Sequence, residues 1–308
     1  MKTFLEEVAE KVYKGYPRLE DVTVVFPNRR ATLFFRKHLS GFLTKPAFAP
    51  KVVTIEEFIA GFSASQVPER LVLISVLFNA YKKVMHASGN SDGDKLAYLE
   101  HFYFWGDMLL RDFEEVDKYM VPAAQLFKDL SHQKELDASF DFLTEEQQQF
   151  LMDFWGHFEV NQSANKLRFL HIWRRLIEVY DQFKSDLNDK GFAYEGMLQR
   201  HVAEQFLSGQ VPDMKKPEQV VFAGFNALTT AEEKVISFFV DRYQAKVYWD
   251  VDAYYVHNVR QEAGRFFRQY QEDPVLAKTF SQDIPAHFQE KILAGKEVQL
   301  YGAAQPVG

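Results

Sequence analysis

The chain has 308 residues, 47% of them apolar, and a net charge of −7, which allows one large or two ordinary domains around a sizeable core. It contains no cysteine, so disulfides, thiolate zinc sites, iron–sulfur clusters and cysteine nucleophiles are excluded, which fits a reducing, cytoplasmic setting. A general nucleic-acid coat would be basic, so any nucleic-acid contact must be local.

Residues 3–14 are predicted as a first helix, with Phe4, Leu5, Val8 and Val12 on one face. This N-terminus carries acids every few residues and no continuous apolar stretch, so it is not a secretory signal. No run of about 18 apolar residues occurs anywhere, and no membrane span is expected. VTVVF (22–26) is a β-branched apolar run, predicted as a buried strand that Pro27 and Asn28 break. ATLFFRKHLSGFL (31–43) follows as an amphipathic helix, then a short strand, KVVTI (51–55), and the helix EEFIAGF. Thr54 with Glu57 three residues on has capping-box spacing. From Val22 to Thr54 there is no Asp or Glu, whereas Arg29, Arg30, Arg36, Lys37, Lys45 and Lys51 are all cationic.

From about 67 to 210 no strand is predicted. Helical spacing covers 68–87, 96–112, 121–131, 144–160, 167–189 and 193–208. SGNSDGD (88–94) is a loop, and SGQVPDMKKPEQ (208–219) is a Pro/Lys-rich exit. Part of this region is acidic: Asp92 to Gln149 holds 14 acids against 5 bases. Strands then return at QVVFAGF (219–225), AKVYWDV (245–251) and EVQLYGA (297–303). Helices are expected at 229–243, capped by Thr229 or Thr230, near 259–271 and near 284–294.

Short buried strands alternating with helices imply a parallel sheet. The expected architecture is α/β, with one body from 1–65 plus 216–308 and an all-helical insertion from 66–215. A chain that stops just after a strand is expected to be part of a longer parent.

Most catalytic chemistry finds no support. The string G-x-x-x-x-G-K-[ST], whose backbone N–H groups and Lys hold phosphate, is missing. So are Gly-rich dinucleotide loops and the G-x-S-x-G nucleophile elbow. His101, His132, His157, His171 and His201 have no histidine partner at i+3 or i+4, and the acid-rich DFEEVDKY (112–119) is expected to be a solvated helix face. Pro212-Asp213 followed by Glu232-Glu233-Lys234 mimics a restriction-type nuclease signature. That chemistry needs the second acid and the Lys on a strand, whereas these residues are predicted to open a helix, where acids suit the dipole. Trp105, Trp155 and Trp173, at helical spacing, are expected to be core residues rather than base-stacking ones.

Four segments, in order, carry a more specific pattern. VTVVFPNRRATLFFRKHL (22–39) resembles the single-strand-contacting motif of UvrD-type superfamily-one helicases, and VVTIEEFI (52–59) resembles their next motif. VVFAGFNALTTAEEKVI (220–236) stands where those helicases carry a strand ending in Asp-Glu, and VYWDVDAYY (247–255) is similar to their Gly-Asp-x-x-Gln motif. Ala223, Gly224 and Phe225 replace the metal-binding acids, and Ala253 replaces the Gln. With no phosphate loop either, γ-phosphate charge could not be stabilised. The whole resembles the AddB-type subunit of bacterial helicase–nucleases, whose helicase half is inactivated. WGDMLLRDFEEVDKYM (105–120), LTEEQQQFLMDFW (143–155) and KGFAYEGMLQR (190–200) are similar to the helical insertion of that group.

The resemblance implies a RecA-like domain that guides DNA without hydrolysing ATP, binds no cofactor and works beside an AddA-type motor subunit, the nuclease activity residing in the parent protein. It points to Pro27, Asn28, Arg29 and Arg30 as a turn contacting the phosphate backbone of single-stranded or unwound DNA, with Thr54 adding a hydroxyl from the neighbouring strand. Asn28 could donate an amide and the arginines could pair bidentately, giving weak, sequence-independent binding. No catalytic or metal-ligating residue is assigned. On its own residues FPNRRA reads first as an ordinary strand-to-helix turn with solvated arginines, and Asp250 and Asp252 fit either a turn or the relic of a nucleotide site. The alternative function is a purely structural protein–protein interface that DNA never touches.

Overall fold

A computed structural model of the chain describes residues 2–87, 98–127, 175–209, 219–281 and 283–286. The chain divides into two compact units. Met1–Phe58, Met214–Leu228 and Val235–Gly308 form the first, and Ile59–Asp213 with Thr229–Lys234 form the second. The expected joins at 65/66 and 215/216 follow the change in composition, whereas the observed division follows packing. Phe62 already packs edge-on against Phe206 of the second unit, with ring centroids 5.3 Å apart.

The first unit is α/β. It opens with α1 (Phe4–Gly15), β1 (Val22–Phe26), α2 (Arg29–Phe42), β2 (Lys51–Thr54) and α3 (Ile55–Ala60), whose last residues pass into the second unit. The second unit holds α4 (Arg70–Ala87), α5 (Leu99–Lys118), α6 (Leu176–Asn188) and α7 (Glu195–Leu207). The chain then adds β3 (Gln219–Ala223), α8 (Thr230–Tyr243), β4 (Lys246–Tyr248), α9 (Ala253–His257) and α10 (Arg265–Glu272).

The four strands form one parallel sheet in the order β2-β1-β3-β4. β1 pairs with β2 from Thr23↔Lys51 to Phe26↔Thr54, and with β3 from Val22↔Gln219 to Val25↔Phe222. The strand before the helical residues therefore lies beside the strand after them. All five residues of β1 are buried, as a central parallel strand covered on both faces must be, which is why it is a continuous β-branched run. Val8, Val12, Phe35 and Leu39 from α1 and α2 pack with Val22, Val24, Phe26 and Val221 in one core cluster. Phe222, on the same sheet, meets Phe58 at 5.5 Å and Phe239 at 6.2 Å. Burying each such side chain stabilises the unit by about 1.5–3 kcal/mol relative to leaving it in water.

In the second unit α4 packs against α5 and α6, and α5 against α7. Leu77, Tyr81, Phe102, Leu110, Phe113, Phe183 and Met197 are fully or almost fully buried between them. Gly196 lets α7 approach α5 closely, since a Cβ there would collide with the Glu114 carbonyl. Among the described residues the extended pairing in this unit is a single bridge, Gln66 with Phe192.

Two boundaries differ from the sequence pattern. The helix expected near 259–271 begins later, α10 starting at Arg265 after a 3-10 turn at Glu262–Gly264, and the short α9 precedes the expected span. Asp252 caps α9 early, accepting from the Tyr254 N–H at 2.9 Å, and Asn258 turns the chain by accepting from the Arg260 N–H at 3.1 Å. Arg268 then gathers the carbonyls of Tyr255, Asn258 and Gln261. α2 begins at Arg29 rather than Ala31, with a consequence for the site. The loop 88–94, the helix 144–160 and the strand 297–303 lie outside the described residues. So do most of the helix near 284–294, parts of 121–131 and 167–189, and Pro212-Asp213.

Candidate nucleic-acid interface

Because the sheet is parallel, Phe26, Thr54, Ala223 and Tyr248 end their strands at one edge. Ligands of open α/β sheets sit at this carboxyl edge. The turn after β1 is the most cationic part of it. Pro27 removes a ladder donor and stops the strand. Asn28 stays extended (φ −155°, ψ 161°) and caps α2, its Oδ1 accepting from the Ala31 N–H at 3.0 Å. Arg29 and Arg30 are thus the first two residues of the helix, not residues of a free loop.

That placement runs against the helix dipole. The first turns of α1, α3 and α8 carry Glu6 and Glu7, Glu56 and Glu57, and Glu232 and Glu233. α2 has no acid in its first turn and two arginines instead. Anions at a helix N-terminus are favourable by about 0.3–1 kcal/mol each, and cations there are unfavourable by a similar amount. Arg29 has one acidic neighbour, Glu57, 3.6 Å from its Nη2, but its side chain is 85% exposed, so this pair offsets little. Arg30 lies over the Phe34 ring, 5.8 Å from its centroid. Both guanidinium groups, and Asn28, are open to solvent.

The end of β2 is finished differently, and here the sequence expectation is corrected. Thr54 is 2% exposed. Its Oγ1 accepts from the Glu57 N–H at 3.2 Å while its own N–H donates to Glu57 Oε2 at 3.1 Å. A hydroxyl buried in this reciprocal cap is not presented to a passing strand, so Thr54 is a structural residue. Thr229 and Glu232 close the same kind of box at the start of α8, and burial raises the Glu232 carboxyl above its ordinary range.

β3 leads into Gly224, whose φ of +76° suits a residue without Cβ, and its N–H donates to the Tyr248 carbonyl at 3.0 Å. Beyond β3 and β4, beside the start of α1, lies a cavity of about 780 Å³. Trp249 forms part of its lining, stacked on Phe280 at 5.1 Å and hydrogen-bonded through Nε1 to Thr279 Oγ1 at 2.8 Å. Its charged lining is Lys2, Lys11, Glu7, Asp250, Asp252 and Asp283, two cations against four carboxylates. Lys2 is engaged by Glu10 at 2.6 Å.

Sequence reasoning missed a polar cluster in the second unit. The segment 112–119 is not a wholly solvated face, because Asp117 is 0% exposed. It accepts from the Tyr180 hydroxyl at 2.5 Å and from the Tyr194 hydroxyl, and it pairs with Lys184 and Arg200, each at 3.2 Å. Burial and the adjacent carboxylate push both phenols well above their ordinary pKa. Burial, then the Lys184 charge, lowers nearby His201. The missed signal was phase: Phe113 and Val116 put Asp117 on the buried side of α5. Asp117, Tyr180, Tyr194, Lys184 and Arg200 are each bonded within the cluster, which ties α5, α6 and α7 together. Trp105 packs on Tyr81 and Phe102, whereas Trp155 and Trp173 lie outside the described residues. Among the described residues no group of three or more His, Asp or Glu is placed to hold a metal ion, and no helix is long and apolar enough to cross a membrane.

No protein-family model matches the chain, and no curated protein matches its sequence.

Proposed function

We propose that this chain is an inactivated, RecA-like helicase domain with a helical insertion, the N-terminal region of an AddB-type subunit of a cytoplasmic helicase–nuclease. It guides single-stranded or unwound DNA through backbone contacts, without hydrolysing ATP, for an AddA-type motor and a nuclease domain of the parent protein. The observation that carries this reading is the start of α2. Two exposed arginines and a capping Asn stand at the positive end of a helix with no acid in its first turn, at the carboxyl edge of a parallel sheet. A phosphate there would relieve the cation–dipole conflict and accept bidentate bonds. The missing phosphate loop and the acid-rich wall of the cavity support the absence of ATP chemistry.

The test is a salt titration of single-stranded DNA binding by the chain and by Arg29→Ala/Arg30→Ala. Each phosphate contact adds about 0.7 to the log–log salt slope, so the double variant should lose affinity and about 1.4 of slope while staying folded, with a melting temperature no lower than the parent's because two cations leave the helix N-terminus. Unchanged binding would remove the site. A second reading, a protein–protein interface, is favoured by Leu71, Val72, Tyr103 and Phe104, all exposed on α4 and α5.

A further inference from the structure

Phosphate contact does not account for what α2 exposes beyond its first turn. Its inner face, Thr32, Phe35 and Leu39, is buried. Its outer face presents Leu33, 64% exposed, and Phe34, 42% exposed, between the exposed cations Arg30 and Lys37. At 3.6 residues per turn, Arg30, Phe34 and Lys37 fall within about 60° of one another around the helix axis. They form one stripe running away from the turn after β1. Arg30 already covers part of one ring face, 5.8 Å from the Phe34 centroid.

The occupant that suits this stripe is set by charge and ring chemistry together. No acid occurs between Val22 and Thr54. Glu57, the carboxylate beside this turn, meets Arg29 rather than the stripe. A polyanion is therefore favoured over a protein surface of mixed charge. Alternating cations and an exposed ring are what unpaired nucleic acid uses: every base offers a π-face, and arginine beside the ring adds a cation–π term. In a duplex those faces are hidden in the stack. Resting on the DNA-guiding function proposed above, we infer that the outer stripe of α2 is a base-stacking platform for single-stranded DNA. Phe34 stacks on a base, Arg30 bridges ring and phosphate, and Lys37 holds the next stretch of backbone. The site then distinguishes single strands from duplex without reading sequence.

The experiment compares fluorescence-anisotropy titrations of the full chain with a labelled oligothymidylate, an abasic strand of equal length, and the same oligothymidylate in duplex. An abasic strand keeps the phosphates and removes the rings. The platform requires the base-bearing single strand to bind tightest. Phe34→Ala should cost it about fivefold or more in affinity, with unchanged salt slope and unchanged abasic binding, and Phe34→Trp should restore or exceed the original affinity. Equal loss on base-bearing and abasic strands overturns the platform, as does no loss at all. If Arg29→Ala/Arg30→Ala weakens binding while Phe34→Ala does not, the platform fails and the DNA-guiding reading stands. If no strand binds, both fall. If Phe34→Ala instead splits a dimer in sedimentation, the stripe is a face between copies and the platform is overturned.

Discussion

Each unit gathers two cations near one polar centre, with opposite outcomes. In the helical unit Lys184 and Arg200 converge on Asp117, which is fully buried and bonded to two tyrosines as well. In the α/β unit Arg29 and Arg30 stand in solvent at the start of α2, Arg29 in a loose, exposed pair with Glu57. The residue types are interchangeable on paper. What separates the roles is whether the fold supplies the countercharge. Where it does, the charges become internal braces. Where it does not, the helix end keeps an unmet preference for an anion, and an external phosphate can meet it.

The largest expected effect lies on the closed side. Asp117→Ala leaves two tyrosyl hydroxyls and two cations without their shared acceptor, and breaking a buried pair in this way costs about 3–5 kcal/mol. Chemical denaturation should register that loss, while single-stranded DNA affinity under native conditions stays the same. A variant as stable as the parent would mean the cluster is not a brace, and the contrast with Arg29 and Arg30 would collapse.

Next come the two caps that start neighbouring helices at the same sheet edge. Thr54→Ala opens a buried capping box, and Asn28→Ala removes an exposed cap. Each should cost about 1 kcal/mol. Only Asn28→Ala should also weaken DNA binding, because it loosens the turn that carries the arginines. Equal DNA losses from both would put Thr54 back on the contact track and refute its purely structural assignment.

These particulars mark what the sequence could carry. β1 and β3 were legible because a parallel strand covered on both faces must be a continuous apolar run, and their parallel sense in one sheet followed from the alternation of strands with helices. The Thr54–Glu57 box was legible because both partners lie within four residues, and for α8 the sequence narrows the cap to Thr229 or Thr230. Asp117 was not: its partners lie 63, 67, 77 and 83 residues away, and no local pattern announces them. Counting the acids in 112–119 hid the helical phase that buries one of them. The start of α2 is hard to read because Asn28 breaks the strand while its side chain also begins the helix. The Phe34 stripe escaped for a related reason: an amphipathic pattern identifies the buried face and says little about an aromatic on the other.

The smallest expected effect is the most discriminating, because stability and function should move in opposite directions. Asn28→Asp keeps an oxygen for the Ala31 N–H and adds a negative charge beside Arg29 and Arg30. That charge answers the α2 dipole and should stabilise the α/β unit by about 0.3–1 kcal/mol at low salt, shrinking as salt screens it. The same carboxylate occupies the electrostatic position reserved for phosphate, so DNA affinity should fall and the salt slope should drop with it. Thermal melting and DNA titration at two salt concentrations read both effects on one protein. If Asn28→Asp stabilises the chain yet leaves DNA binding and its salt slope intact, the arginines are not where the strand lies, and the open end of α2 is only an imperfectly finished helix.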